Sequence, residues 1–385
     1  MLRKLTLGFT GIMAAAILIA GCSSSEAGKI LSIGPTFAPE SLYATNSTQN
    51  GISIYPAGSS KTGAGPQYQI GGSNTSLLGP LYVTLDSLGD IFTTTWAPGT
   101  GAATILEFKA LATGNVLPYQ TYTFTLSHPR GVFDYLTTFG GATTKTDVLV
   151  SSVVDASQPL SFANQLQFFT SANVSLGPYS VVAGPLTGLN VPVGVAADSS
   201  GNVYVANNQS ANVEVFSFPS PSPTPSPTAT PSPSPTPSPT PTGATPSPEP
   251  SVSPTATPYN VAPFATISGA ASKIGLPTGV ALDTNNNIYV ADQASTACTP
   301  ACPAILIFPK GSNGAVAPTV LAGSATKLYA PSDVKVDSNG LIYVADTTAS
   351  GAGVIYVFAA GASGNVAPTA TYTSPGAVTG LGLSP

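Results

Sequence analysis

Charge is what this chain has least of. Of its 385 residues only 11 are Lys or Arg and 16 are Asp or Glu, a charged fraction of 7%, where about 25% is usual for soluble domains. Basic residues form no cluster beyond Arg3-Lys4, so the chain cannot build the phosphate-neutralising stripe on which DNA or RNA binding rests. Nucleic acid is therefore excluded as a partner. One His, three Cys and two Met exclude most His-rich and thiolate metal centres, because a zinc site needs three or four converging ligands. What the chain does have is apolar residues, 42% of the total, enough for a sizeable core and too many for a disordered protein. Its 38 prolines are unevenly placed. Sixteen of them fall between Pro219 and Pro258, and the other 345 residues have an ordinary share.

Arg3-Lys4 precede an apolar run from Leu5 to Ala20 that is short for a membrane span and laid out like the core of a secretory signal. Ile19-Ala20-Gly21-Cys22 follows at once and resembles the lipobox of bacterial lipoproteins. In that family the signal, here residues 1–21, is cut away and the exposed Cys22 carries the lipid. Residues 22–40, beginning Ser23-Ser24-Ser25, read as a tether. The resemblance implies a cell-envelope protein anchored outside the cytoplasm, and Ser23 after the Cys implies the outer membrane where a cell has one. Loss of Arg3 and Lys4 leaves nine basic against sixteen acidic residues, a net charge of −7. An acidic chain is not drawn to anionic lipid, so acyl chains would have to hold it there.

The two remaining cysteines are spaced as Cys298-Thr299-Pro300-Ala301-Cys302. Export permits a disulfide closing this small loop, whereas two thiols alone do not complete a zinc shell. A thioredoxin-type redox pair has one residue fewer between its cysteines.

Beyond residue 40 the sequence repeats. Pro277 to Asp283, Asn287 to Asp292 and Ile305 to Phe308 recur as Pro331 to Asp337, Leu341 to Asp346 and Val354 to Phe358. Earlier copies run Pro192–Asp198, Asn202–Asn207, Val213–Phe218 and Pro80–Asp86, Asp90–Thr95, Ile105–Phe108. A degenerate copy starts at Pro129 and includes Asp147–Ser152 and Leu166–Phe169. Each run is short, rich in Val, Ile, Tyr and Phe, and bounded by Gly, Pro or Asn, the pattern of strands. A fourth run closes each copy, four of them introduced by Asn115-Val-Leu-Pro118, Asn260-Val-Ala-Pro263, Ala315-Val-Ala-Pro318 and Asn365-Val-Ala-Pro368. Four strands in roughly 40 to 50 residues is the signature of a propeller blade. Pro375–Leu383 matches only a first strand, and Leu42–Asn46, Ile52–Tyr55 and Gln67–Ile70 match the other three. Joined, they make a sixth blade. The expected fold is all-β: residues 41–385 as a six-bladed propeller of four-stranded blades, closed by a blade that both termini share.

The Gly-Val-Ala-x-Asp and Ile-Tyr-Val-Ala-Asp runs resemble the NHL-repeat propellers. That family includes RNA-binding modules, lyases similar to virginiamycin B lyase, and relatives of lactonases, so the resemblance implies a fold more than an activity. Residues 219–258 alternate Pro with Ser or Thr, a polyproline II composition with no core to bury. They fall between the third and fourth strands of one blade, as an insertion within the propeller.

Asp86-Ser-Leu-Gly-Asp90, Asp198-Ser-Ser-Gly-Asn202 and Asp337-Ser-Asn-Gly340 separate first from second strands, and Asp283-Thr-Asn-Asn-Asn287 has Asn286 in place of Gly. Gly and Asn tolerate the left-handed residue of a tight hairpin. These turns are read as structural. Each offers at most two carboxylates, and calcium takes six to eight oxygens.

On the face that carries the connections between second and third strands, alignment places Asn46, Thr95, Ser152, Asn207, Asp292 and Asp346 at equivalent positions. Four of them, in successive blades, suggest an acidic arc for a cation or a polyhydroxylated ligand. The opposing expectation is that Asp and Asn at strand ends bond their own loops. Trp96, His128 and Arg130 fall on the same face, where His can act as a base and Arg can hold a carboxylate. The lyases of the resembled family employ more than one His with an acidic partner and a metal, a set this chain does not complete. The leading expectation is thus a non-catalytic binding or scaffolding module for an envelope protein, peptide or glycan, without cofactor. The alternative is a metal-assisted lyase or lactonase. Tyr43, Phe92, Tyr204, Tyr289 and Tyr343 recur at one strand position, which indicates packing between blades.

Overall fold

The computed structural model describes residues 40–58, 63–96, 103–124, 127–138, 145–155, 163–217 and 258–384. The expected signal segment, Cys22, the tether up to Pro39 and nearly all of the proline-rich insertion lie outside the described residues.

Among the described residues, twenty-four strands form six four-stranded antiparallel sheets. Blade 1 holds β1 (Ser41–Asn46), β2 (Gly51–Pro56) and β3 (Tyr68–Gly71), and blade 2 holds β4 (Pro80–Leu85), β5 (Ile91–Trp96), β6 (Ala103–Phe108) and β7 (Gln120–Thr123). Blade 3 is β8 (Ser127–Thr138), β9 (Lys145–Asp155), β10 (Asn164–Thr170) and β11 (Ser180–Ala183). Blade 4 is β12 (Pro192–Ala197), β13 (Asn202–Asn207), β14 (Asn212–Ser217) and β15 (Ala265–Ile267). Blade 5 is β16 (Pro277–Leu282), β17 (Ile288–Ser295), β18 (Cys302–Phe308) and β19 (Thr319–Ala322). Blade 6 is β20 (Asp333–Val336), β21 (Ile342–Thr347), β22 (Gly353–Phe358) and β23 (Ala370–Thr373), and β24 (Val378–Leu383) returns to pair with β1 as the inner strand of blade 1. The repeat phase and the shared blade are as the sequence predicts. The degenerate third copy departs in length, since β8 and β9 continue pairing to Thr138↔Lys145.

The core lies in the seams between blades. Along the second strand of blade 6, Ile342 and Val344 pack with Val334 and Ile305, while Tyr343 and Ala345 between them pack with Leu42 and Leu381 of blade 1. Side chains alternate across a strand, so a second strand buried on both faces needs a continuous apolar run. The recurrent aromatics follow the same rule: Tyr43, Phe92, Tyr204, Tyr289 and Tyr343 each enter a cluster shared with the next blade.

Turn chemistry also matches the sequence. Gly89, Gly201, Gly340 and Asn286 have φ of 82°, 82°, 80° and 62°, and the aspartate that opens each turn accepts two backbone amides, as Asp337 Oδ1 does from Asn339 and Leu341 at 3.0 and 2.8 Å. The other Asp337 oxygen accepts the Tyr343 hydroxyl at 3.1 Å, which links the turn to the seam tyrosine. Cys298 and Cys302 form a disulfide in the connection from β17 to β18.

The Asn-Val-x-Pro segments do more than introduce a fourth strand. Gly114 bridges Ile70 at the outer edge of blade 1, with Gly71 N–H to Gly114 O at 3.1 Å and Gly114 N–H to Gln69 O at 2.6 Å. Asn115 Oδ1 then accepts the Asn74 amide at 2.7 Å. Corresponding bridges join Tyr259 to Val182, Gly314 to Ile267 and Gly364 to Leu321, and Ala64 to Tyr372 at the closing seam. Each latch covers a strand edge that would otherwise template aggregation. At the seam between blades 2 and 3 a 3-10 segment, Ser171–Leu176, takes that place, held by Gln120 to Ala172 O and Ser175.

Candidate functional site

First strands run down the axis of the ring, and their third position decides how open that axis is. Gly131, Gly194, Gly279 and Gly380 occupy it in four blades, and a Cβ on Gly194 would stand 2.7 Å from the Gly279 Cα. The inner strands approach closely for that reason. Tyr82 and Asp333 occupy the same position in the other two blades. Tyr82 crosses from blade 2 to blades 5 and 6, where its hydroxyl donates to Thr278 O at 2.7 Å and lies 3.3 Å from Ser332 O. Asp333 accepts the Lys335 ammonium at 3.0 and 3.2 Å and the Leu381 amide at 2.9 Å. Sequence reasoning overlooked both residues. The signal was there, in a column of glycines interrupted twice.

Below this plug, on the face of the Asp turns, the axis widens into a recess of about 390 Å³ lined by Thr84, Phe133, Ala197, Leu282, Lys335 and Leu383, one residue from each blade. Its one lysine is committed to Asp333. Asp198 and Asp283 on its wall already accept two backbone amides each from their own turns.

The opposite face carries the residues singled out from the sequence. All six equivalent side chains, Asn46, Thr95, Ser152, Asn207, Asp292 and Asp346, are buried, and each is bonded locally or to the next blade. Asp292 accepts Gly275, Leu276 and Ala294 amides at 2.7, 2.8 and 2.9 Å. Asp346 accepts Tyr329 and Ala330 amides at 2.9 and 2.8 Å. Asn207 takes the Asn190 amide at 2.6 Å and donates to Gly188 O at 2.9 Å. Apart from Ala294, which lies within β17, the partners in all three cases belong to the loop that leads into the same blade. Asn46 donates to Ser53 and accepts Ser374, Thr95 pairs with Thr104, and Ser152 bonds Gly131 N–H and Val193 O. Burial pushes the Asp292 and Asp346 carboxyls above the usual range, and the backbone amides pull them partly back.

Of Trp96, His128 and Arg130, the first two are brought into contact. The Trp96 and His128 rings meet edge to face with centroids 4.7 Å apart. Arg130 sits two residues on, inside the bulge where the β8–β9 register shifts between Pro129 and Val132, a device that re-aims a side chain. In three other blades the residue at that strand position uses a hydroxyl to bond the next blade, as Thr278 does to Pro331 O at 2.8 Å. Arg130 has no hydroxyl, and its buried Nε finds no acceptor among the described residues. Burial drives the Tyr82 phenol far above its ordinary pKa, the Asp333 charge adds to that, and the Arg130 guanidinium works against it.

A metal does not fit this donor set. Among the described residues no three His, Cys, Asp or Glu side chains converge, and the oxygens of Asp292 and Asp346 are filled by amides.

No family model matches the chain, and no curated protein does. Solved propellers do. A protein of unknown function from Bacteroides caccae aligns at 9% identity with a TM-score of 0.52, covering 90% of this chain and 99% of that one. The periplasmic gluconolactonase of Pseudomonas aeruginosa aligns at 10% identity and a TM-score of 0.47 over 90% and 99%. Virginiamycin B lyase of Staphylococcus aureus aligns at 9% and 0.37 over 74% and 70%. At such identities the likeness to the Bacteroides caccae protein shows the propeller fold alone.

Proposed function

We propose that the chain is a lipid-anchored envelope propeller of NHL-like repeats that binds or scaffolds a protein, peptide or glycan without performing chemistry on it. One observation carries the reading. The carboxylates that a metal-assisted lyase or lactonase would need are spent on loop amides, which makes the face a rigid platform. Asp292 alone ties three amides of the loops around β16 and β17. The Ile19 to Cys22 lipobox supports the anchor.

Purified protein screened against lactones and cyclic esters, with and without added divalent metal, is expected to show no turnover, while saturable retention on isolated envelope material is expected. Metal-dependent hydrolysis lost in His128→Ala would overturn the reading. For the anchor, Cys22→Ser should release the protein from the membrane fraction, and persistence there after removal of the signal would contradict lipidation.

A further inference from the structure

We propose that Arg130 is the receptor for a carboxylate, and that Trp96 and His128 flank the ligand's apolar body. The proposal rests on the binding reading above and names the chemistry of that face. Buried charge is paired in folded proteins, because taking an ion out of water without a partner is costly. Among the described residues the cations that meet buried carboxylates obey the rule: Lys335 is held by Asp333, and Lys109, itself half exposed, bridges the nearly buried Asp90 and Glu107. Arg130 is the exception. No carboxylate or carbonyl among the described residues accepts a bond from its side chain, and its Nε is shut off from solvent.

The residue as a whole is only partly buried, which leaves it within reach of an incoming group. A guanidinium is planar, permanently charged and matched to two parallel carboxylate bonds. The Asp333 carboxylate is already held by Lys335. An anion approaching Arg130 therefore completes a pair instead of competing for one. His128, two residues away along β8, meets Trp96 at the end of β5 edge to face, and both rings are partly exposed and offer apolar surface. A small aromatic or branched aliphatic carboxylate satisfies both features.

The chain has a single tryptophan, so Trp96 emission reports on this place alone. Benzoate titrated into the full chain in detergent should give a saturable emission change and raise the thermal midpoint, with millimolar or tighter affinity, weakening as salt rises. Benzyl alcohol, its uncharged analogue, should give neither. Arg130→Gln should weaken benzoate binding roughly tenfold or more, the loss of a charge-assisted pair. Arg130→Lys, which keeps the charge and loses the fork, should fall between. Equal saturation in Arg130→Gln, or no saturable change in wild-type protein, overturns the proposal. Saturation by phosphate and not by benzoate overturns the carboxylate assignment. If Arg130→Gln does not fold, the benzoate-against-benzyl-alcohol comparison in wild-type protein decides alone. Retention on envelope material without any benzoate response would sink this inference and leave the binding reading standing.

Discussion

At the residue scale, the decisive finding is what the strand-end Asp and Asn side chains hold. Asp292→Ala would strand three partly buried amide donors, and a bond to a charged acceptor is worth about 1.5–3 kcal/mol. Allowing for partial relaxation, a loss of roughly 3 kcal/mol is expected by denaturant unfolding, with Asp292→Asn losing less. The pH dependence has a definite sign. Asp292, Asp346 and Asp333 are all raised, chiefly by burial, so their contribution to stability is full below the ordinary carboxylate pKa of about 4 and is lost as pH rises through their raised folded values. Thermal midpoints should hold or increase from pH 8 towards pH 5, and Asp292→Asn should flatten that slope. A midpoint that drops steadily over this range would contradict it. The equivalence of these six positions was legible in the sequence because the repeats align. Their direction was not, since an Asp at a strand end looks the same whether it accepts its own loop or a ligand. Arg130 was legible as a candidate on other grounds: it follows the sole His by two residues on that face, and a guanidinium can hold a carboxylate.

Among elements, the latch shows why the short Asn-Val-x-Pro motif recurs. Gly323 stands at φ 120°, and a Cβ there would lie 2.5 Å from Asn365 Oδ1; Gly72 and Gly184 meet Asn115 and Asn260 in the same way. Asn365→Ala removes one exposed bond, Asn365 Oδ1 from the Ala325 amide at 2.7 Å, and is expected to cost about 1 kcal/mol. Gly323→Ala adds both a collision and a backbone strain of order 1–3 kcal/mol, and should cost clearly more. Equal costs in thermal unfolding would mean that the latch is not seated as described. The motif's presence was plain from the sequence, yet its partner was not, because the contact joins residues 40 to 74 positions apart in different blades. The longer β8–β9 hairpin was hidden for a related reason: the third copy has no Asp-x-x-Gly run between its first and second strands, the spacing that marks three of the other copies.

At the scale of the whole molecule, six seam clusters and one returning strand make the ring. The terminal strand is held from both sides: β24 pairs with β1, and the Asp333 carboxylate bonds the Leu381 amide within it at 2.9 Å. The ends of the fold meet where Ser384 N–H donates to Ser41 O at 2.9 Å and Ser41 N–H to Ser384 Oγ at 2.8 Å. Complementary terminal fragments announced this closure in the sequence, whereas the Tyr82 plug needed three blades brought to one axis. Circular permutation tests closure most directly. A chain with Ser384 joined to Glu40 by a short Gly/Ser linker, and new ends opened within residues 219–257, should fold to the same β-rich monomer with a thermal midpoint within a few degrees of the parent. A permutant that is unfolded, or that associates through an unpaired β1 edge, would contradict a ring completed by the strand from Val378 to Leu383.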